Sequence, residues 1–199
     1  DDIMNFFGNK ELKNLVINNP DNPSGNYIPK KDILRLAAWT KERKIRLIVD
    51  ESFIDFASEE TETDGGKISS PAGAGTILDE GILDENPHMT VVKSISKSYG
   101  VPGLRLGIAA SGDRDLIASL KKEVAIWNIN SLAEFYLQIE EKYRKDYAAS
   151  LKLLQAERSR FAAELETIPG IRVLPSQANY LMAELTGCSS KWLTEQLLN

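Results

Sequence analysis

Three short apolar runs, each followed by polar residues, constrain the fold of this chain more than any other feature. They occupy residues 15–17, 45–49 and 89–95. Between the first two runs, apolar residues recur at helical spacing after Pro29, and basic residues collect in the last turn of that segment. A strand, a helix and a further strand in this order are typical of an α/β fold with a largely parallel sheet.

The remaining segments continue this pattern and then change character. Ser131 and Glu134 have the spacing of a capping box, so a helix should begin there. Residues 57–86, rich in small and acidic residues, should form a long surface excursion. We predict further strands over 104–110, 171–174 and 179–184, and helices over 115–124, from about 143 to 166 and from near residue 189.

Composition excludes several classes of protein. The 199 residues are 42% apolar and 27% charged, with a net charge of −5, which is ordinary for a folded domain. No apolar run reaches the roughly 20 residues of a membrane span, and mild acidity argues against a nucleic-acid partner. Cys188 is the only cysteine and indicates a reducing, cytoplasmic location. With His88 as the only histidine, we expect no metal site.

Polar residues follow the predicted strands where an α/β sheet binds its ligands, beyond the carboxyl ends of the strands. Asp50 ends the second run, and Lys97 follows the third. A lysine behind an apolar strand should be poorly solvated, which favours an uncharged amine able to form a Schiff base. An acid nearby could hold a cationic ring nitrogen, and the serines and arginine of the same region could hold a phosphate. The residues that could act in this way are Asn22, Asp50, Ser94, Ser96, Lys97 and Arg105.

Each of these residues also has an ordinary structural interpretation. Lys97 could be a solvated surface lysine, and Asp50 could cap a helix or form a buried ion pair. Arg105 could form a structural salt bridge, while the serines and Asn22 could simply be turn residues.

Taken together, four segments resemble the fold-type I, class I and II pyridoxal-phosphate aminotransferases, in particular the branch that resembles histidinol-phosphate aminotransferase. The segments are Asn19-Pro20-Asp21-Asn22-Pro23-Ser24-Gly25, Val49-Asp50-Glu51-Ser52-Phe53, Ser94-Ile95-Ser96-Lys97-Ser98-Tyr99-Gly100 and Gly103-Leu104-Arg105-Leu106-Gly107. The resemblance covers essentially the whole chain. It implies the second half of a cofactor-binding large domain with a mostly parallel sheet over residues 1–142, an interdomain helix over 143–168, and the incomplete start of a small α+β domain over 169–199.

The resemblance assigns roles to the residues around the cofactor, pyridoxal 5′-phosphate. Lys97 would form the Schiff base with the cofactor aldehyde and move the substrate proton, while Asp50 would keep the pyridine nitrogen protonated. Asn22 would hydrogen-bond the phenolic oxygen, and the Asn22–Pro23 peptide bond should be cis.

The phosphate-binding and ring-binding positions follow from the same resemblance. Ser94, Ser96 and Arg105 would bind the cofactor phosphate. Phe53 occupies a cofactor-contacting position where the family commonly has a tyrosine that donates to the phenolic oxygen. Because phenylalanine has no hydroxyl group, we expect altered protonation of the Schiff base.

The implied activity is transfer of an amino group between a small amino acid or amine, including phosphorylated ones, and a 2-oxo acid. The full-length protein would be a homodimer. From its two ends we expect the present chain to be a fragment with little or no activity of its own. Two alternatives stay open: a pyridoxal-phosphate-dependent phospho-amino-acid decarboxylase, and an inactive truncated scaffold.

Overall fold

A computed structural model of the chain describes residues 2–58, 60–63, 66–69, 73 and 75–198. The strands are β1 (Asn14–Asn18), β2 (Arg46–Asp50), β3 (Glu60–Thr63), β4 (Gly66–Ser69), β5 (Met89–Lys93), β6 (Ile108–Ser111), β7 (Ile171–Leu174) and β8 (Met182–Leu185). The helices are α1 (Asp2–Phe7), α2 (Lys30–Glu42), α3 (Glu80–Glu85), α4 (Ile95–Ser98), α5 (Arg114–Glu123), α6 (Ser131–Ile139), α7 (Arg144–Glu166) and α8 (Ser190–Leu197). Three 3₁₀ turns lie at Ile54–Phe56, Pro102–Leu104 and Glu140–Tyr143.

The main sheet has four strands in the order β1-β2-β5-β6. The first three strands are parallel, and β6 runs antiparallel to β5. In the register of the parallel strands, Asn18 lies opposite Asp50, and Asp50 lies opposite Val92. The carboxyl ends of all three strands therefore meet at one edge of the sheet, as the predicted α/β fold requires.

Apolar side chains from the parallel strands and from α2 form the larger buried cluster, which we call the sheet cluster. In α2, Ile33, Leu36 and Ala37 follow the spacing of one helical face and are buried against the sheet. The buried members of the sheet cluster are Leu15, Ile33, Leu36, Ala37, Ile45, Leu47, Val49, Ile77, Leu83, Met89 and Val91.

A smaller buried cluster lies under the long helix α7, and we call it the long-helix cluster. Its buried members are Phe53, Phe56, Leu151 and Ala178, with Tyr147, Leu154 and Tyr180 packed against them. The antiparallel pair β7–β8 follows α7. None of the helices in the described ranges combines the length and the apolar character needed to cross a bilayer.

The structure confirms the α/β class with a mostly parallel sheet and corrects several boundaries. The third strand ends at Lys93 rather than residue 95, because a one-turn helix begins at Ile95. The predicted strand over 104–110 begins only at Ile108, since a 3₁₀ turn is followed by Arg105 with a positive φ of 57°. The last predicted strand, over 179–184, is displaced to Met182–Leu185.

The segment 57–86 is not a surface excursion throughout. Ile77 and Leu83 from this segment are buried in the sheet cluster, at 0% and 8% exposure. Positions 59, 64, 65, 70–72 and 74 of the segment lie outside the described residues. The division of the chain after residues 142 and 168 stays a prediction.

Candidate functional site

The carboxyl edge of the main sheet brings the acidic residue of the candidate site to the end of β2. Asp50 is the last residue of this strand, and its carbonyl oxygen accepts a hydrogen bond from Asn19 N at 2.8 Å. The adjacent acid, Glu51, is only 1% exposed and accepts bonds from Thr76 Oγ1 and Ile77 N. Burial raises the pKa of Glu51, partly offset by these two bonds. Of the two neighbouring acids, Asp50 is therefore the one available at the edge.

Ser52 connects Asp50 to the helix that follows β5. Both the backbone nitrogen and the hydroxyl group of Ser52 donate to Asp50 Oδ1, at 2.9 and 2.5 Å. The same hydroxyl oxygen accepts a bond from Ser94 N at 3.1 Å, and Ser94 is the residue that precedes α4. Within the described part of the chain, no hydrogen bond reaches the other carboxylate oxygen, Asp50 Oδ2.

Lys97 lies in α4, directly after the strand that neighbours Asp50. Its Nζ is 4.7 Å from the centroid of the Phe53 ring, which is itself 6% exposed. The Lys97 side chain as a whole is exposed, so the expectation of a poorly solvated amine is wrong for this structure. The physical reason is that the lysine projects from a one-turn helix beyond the sheet rather than from the strand itself. Among the described residues, Lys97 forms no ion pair.

Among the described residues, the loop that carries Asn22 is connected to the candidate site through Tyr180. It is exposed in the loop after β1, and the peptide bond to Pro23 is cis as predicted, as is the Asn19–Pro20 bond. Tyr180 connects the loop to the site, because its hydroxyl group donates to Asp21 O at 2.7 Å and its ring meets Phe53 edge-on at 5.1 Å.

Tyr180 remains a hydrogen-bond donor at neutral pH. Burial, aided by the Asp21 and Asp50 carboxylates, raises the pKa of Tyr180 to about 12. The loop is also held from its other side, where Gln177 N donates to Gly25 O at 2.8 Å. Gly25 has a φ of 73°, and a Cβ atom at this position would lie 2.1 Å from Ser176 Oγ.

The three predicted phosphate-binding residues surround the lysine but differ in availability. Ser94 is half-buried and precedes α4. The Ser96 hydroxyl is buried and bonded to the backbone of Leu106, accepting from its nitrogen at 2.7 Å and donating to its oxygen at 3.3 Å. Arg105 is exposed, and its guanidinium donates to Pro102 O at 3.2 Å. A phosphate group would therefore compete with a backbone oxygen for the Ser96 proton.

A buried polar network supports α4 from the side of the long-helix cluster. Lys93 Nζ and Asp55 Oδ1 form an ion pair at 2.6 Å, and each side chain is 12% exposed. Tyr147 in α7 donates to Asp55 Oδ2 at 2.9 Å, contacts Ser98 O at 3.3 Å, and stacks on Tyr99 at 4.1 Å. Burial and the Asp55 carboxylate raise the pKa of Tyr147, so its phenol stays protonated.

The groups at this edge match the chemistry that pyridoxal phosphate requires. The cofactor presents a phosphate, an aldehyde and a pyridine nitrogen, which call for cationic or hydroxyl donors, an amine and a carboxylate. Arg105 and Lys97 are exposed, and one oxygen of Asp50 is unused by the described residues. The residues present therefore fit this group.

Sequence reasoning missed two residues that organise the site. An aspartate side chain commonly accepts a hydrogen bond from the backbone nitrogen two residues on, so the contact between Asp50 and position 52 could have been predicted. Tyr180 gave no local signal, because its partner Asp21 is 159 residues away.

A largely parallel α/β sheet with a lysine, an aspartate and hydroxyl groups at its carboxyl edge defines the class of ligand-binding α/β proteins. The family model of the class I and II aminotransferases matches residues 5–199 of this chain. The chain therefore belongs to this family of pyridoxal-phosphate-dependent enzymes, and the resemblance noted from the sequence motifs is confirmed.

Individual relatives carry different activities. CMP-5′-(3-aminopropyl)phosphonate synthase of Streptomyces rubellomurinus is 35% identical over 187 residues, covering 94% of this chain and 27% of that protein. L-serine phosphate decarboxylase of Sulfurospirillum multivorans is 34% identical over 191 residues, covering 93% of this chain and 44% of that protein. The crystal structure of histidinol-phosphate aminotransferase from Clostridium acetobutylicum matches 99% of this chain and 55% of that chain, with a TM-score of 0.80 and 26% identity. The chain thus spans between about a quarter and just over half the length of these relatives.

Proposed function

We propose that this chain is part of a pyridoxal-phosphate-dependent aminotransferase that moves an amino group between a small amino acid or amine, including phosphorylated ones, and a 2-oxo acid. The observation that carries the proposal is the neighbourhood of Asp50 and Lys97. Asp50 ends β2, and Phe53 follows it three residues later. Lys97 Nζ lies over the ring of Phe53. When bound, pyridoxal phosphate supplies an aldehyde for the amine and a ring that accepts electrons from the substrate.

The chain's own residues hold and orient the reacting groups in this proposal. Lys97 is the amine that binds the cofactor aldehyde and then moves the proton at the substrate α-carbon. Asp50 would hold the pyridine nitrogen through Oδ2, because Oδ1 already accepts two bonds from Ser52. Asn22 bonds the phenolic oxygen. Ser94, Ser96 and Arg105 hold the phosphate, with Arg105 as the charged donor.

Decarboxylation of a phosphorylated amino acid is the second candidate. Two observations favour it: Phe53 lacks the hydroxyl group that the family's usual tyrosine donates, and a relative that is 34% identical is an L-serine phosphate decarboxylase. Such an enzyme uses the same lysine and aspartate but needs no 2-oxo acid acceptor. We carry both reactions forward, with amino transfer as the leading proposal.

The proposal for the whole protein includes a homodimer in the cytoplasm. Exposed apolar side chains between α5 and α6 support a surface that is covered in the assembly, since Ile126 is 94% exposed and Trp127 is 92% exposed. The single cysteine supports a reducing compartment. Sedimentation of the whole protein tests the oligomeric part of this proposal directly.

Reductive trapping tests the role of Lys97. The purified chain is incubated with pyridoxal phosphate, reduced with borohydride, digested and mapped by mass spectrometry. We expect the added mass to concentrate at Lys97 and to be absent there in a Lys97→Arg variant. Lys121→Arg, which changes an exposed lysine of α5, should leave the labelling of Lys97 unchanged. Labelling spread evenly over the surface lysines would contradict the proposal.

Product analysis of the whole protein separates the two reactions. Amino transfer predicts glutamate formed from 2-oxoglutarate in the presence of an amino donor. Decarboxylation predicts carbon dioxide released from O-phospho-L-serine without any acceptor. Carbon dioxide release without glutamate would replace the leading proposal by the second candidate. If neither product is formed, the truncated-scaffold alternative is favoured.

A further inference from the structure

We propose that Ser52 is a positioning residue that fixes the Asp50 carboxylate relative to the helix carrying Lys97. This inference rests on the proposed function, because it concerns the geometry of the two groups that would face the cofactor. Ser52 itself is 5% exposed and is not proposed to touch the cofactor. It acts through Asp50 on one side and through α4 on the other.

Three hydrogen bonds of Ser52 carry the argument. Its hydroxyl group donates to Asp50 Oδ1 at 2.5 Å, and the same oxygen accepts from Ser94 N at 3.1 Å. Its carbonyl oxygen accepts from Ser98 Oγ at 3.3 Å. One residue therefore contacts the end of β2 and both ends of the four-residue helix α4.

The chemistry of a hydroxyl group explains why this position needs a serine or threonine. A hydroxyl group has one proton to donate and lone pairs to accept, so it can bond a carboxylate and a backbone N–H at the same time. Donation to a carboxylate is a charge-assisted bond and is stronger than a neutral one. Alanine would remove both bonds at once, whereas threonine can form both.

The arrangement also directs the free oxygen of Asp50. Because both donors of Ser52 converge on Oδ1, the carboxylate is held in one rotational position. Oδ2 is then the oxygen left to face a ring nitrogen. Without the Ser52 hydroxyl, one backbone bond would remain on Oδ1 and the carboxylate would lose its connection to α4.

Three variants test the inference: Ser52→Ala, Ser52→Thr and the matched control Ser111→Ala. The Ser111 hydroxyl also donates to a strand, at Met89 O, and accepts a backbone bond, from Asp113 N, but at the opposite edge of the same sheet. The first measurement is amide hydrogen exchange at Ser94, which needs no cofactor. We expect about tenfold faster exchange in Ser52→Ala, from the loss of one hydrogen bond, and no change in the other two variants.

The second measurement is reductive trapping of pyridoxal phosphate, scored as the fraction of label at Lys97 and the absorption spectrum of the bound cofactor. We expect Ser52→Ala to lose most of the selectivity for Lys97 and to shift the spectrum. Ser52→Thr should restore both properties, which a role in folding alone would not require. Circular dichroism confirms that each variant is folded before it is compared.

The outcomes separate this inference from the proposed function. Selective labelling of Lys97 in the parent chain, with no change in Ser52→Ala, overturns the inference and leaves the proposed function standing. Unselective labelling of the parent chain overturns the proposed function. In that case the Ser94 exchange rate alone tests whether Ser52 connects β2 to α4. An unchanged rate in Ser52→Ala would then overturn this connection as well.

Discussion

The sheet cluster and the long-helix cluster are buried by different means. The sheet cluster has eleven buried apolar members, most of them from β1, β2, β5 and α2. The long-helix cluster has only four buried members and is bounded by polar contacts. In it, Arg158 of α7 donates to Phe56 O at 3.1 Å and Ala178 O at 2.8 Å, while Tyr147 bonds Asp55.

This difference shows which parts of the molecule depend on the spacing of apolar residues and which depend on specific hydrogen-bond or ion-pair partners. Apolar burial is non-directional, so most of the sheet cluster needs only suitable side chains at suitable spacing. Its member Ile77 is also held by a backbone bond to the Glu51 carboxylate. A buried hydrogen bond or ion pair needs a specific group at a specific distance. Tyr147 and Asp55 are 92 residues apart, and Arg158 and Phe56 are 102 residues apart. The candidate site lies between the two clusters and uses both.

The largest effect is expected in the sheet cluster. Leu47 is fully buried in the central strand β2, so Leu47→Ala removes apolar contacts and leaves a cavity. We expect a loss of about 4 kcal/mol in the free energy of unfolding, measured by urea denaturation. Val16→Ala is the matched control, because Val16 lies on the neighbouring strand but is 63% exposed. Equal losses in the two variants would contradict the distinction between buried and exposed faces of the sheet.

A somewhat smaller effect is expected from the ion pair beside the long-helix cluster. Asp55→Ala leaves the 12% exposed Lys93 side chain without its partner. We expect the free energy of unfolding, measured by urea denaturation, to fall by about 3 kcal/mol. The double variant Asp55→Leu with Lys93→Met should recover most of that loss, since it leaves no unpaired charge. Glu184→Ala is the control, because it breaks an exposed ion pair with Arg172. It should lower the free energy of unfolding by less than about 1 kcal/mol. A large loss in the double variant would show that the pair itself, rather than the unpaired charge, determines stability.

Removal of a single hydroxyl group measures the directional part of the long-helix cluster. Tyr147→Phe keeps the ring that stacks on Tyr99 but loses the donor to Asp55 Oδ2. We expect the free energy of unfolding, measured by thermal or chemical denaturation, to fall by about 1 kcal/mol. Tyr143→Phe, at an exposed position just before α7, should change nothing measurable. If the two variants are equally stable, the Tyr147 hydroxyl group does not support the network.

The smallest expected effect is the pH dependence contributed by His88, next to the sheet cluster. Burial lowers the pKa of His88 below 6.5, assisted by the charge of Lys41 and opposed by the bond with Ala37 O. In the window between the lowered pKa and 6.5, the unfolded chain binds more protons than the folded one. Stability should therefore rise with pH through this window and fall as the pH drops below 6.5.

Nuclear magnetic resonance gives the His88 pKa directly, because the chain has no other histidine. We expect the ring resonances to titrate below 6.5 in the folded protein and near 6.5 in urea. The variant His88→Gln should flatten this part of the stability curve. A folded-state midpoint above 6.5 would reverse the sign of the predicted dependence.

Much of the sheet and its edge could be predicted from the sequence. Short apolar runs with polar residues after them located β1, β2 and β5, and the rule for parallel strands placed Asp50 and Lys97 at one edge. What could not be predicted depends on contacts between distant residues. The exposure of Lys97 depends on where α4 begins, and the connection of Asn22 to the site depends on Tyr180.

Backbone conformation accounts for the remaining differences. The strand predicted from residue 104 begins later because Arg105 adopts a positive φ, which a pattern of apolar residues does not reveal. The antiparallel direction of β6 likewise has no signal in its own four residues. The assignment of Asn22, Asp50, Phe53, Ser94, Ser96, Lys97 and Arg105 to the cofactor stays a prediction until the trapping experiment is done.

The close approach of Gly25 to Ser176 has a consequence for the evolution of this protein. No side chain fits at position 25 while the serine oxygen remains 2.1 Å from where a Cβ atom would stand. Shortening the serine would not open the position, because the Cα atom of Ser176 would still lie 3.0 Å from that Cβ atom. Among descendants of this sequence, position 25 should therefore stay glycine whatever residue stands at position 176, because its φ of 73° also disfavours any L side chain.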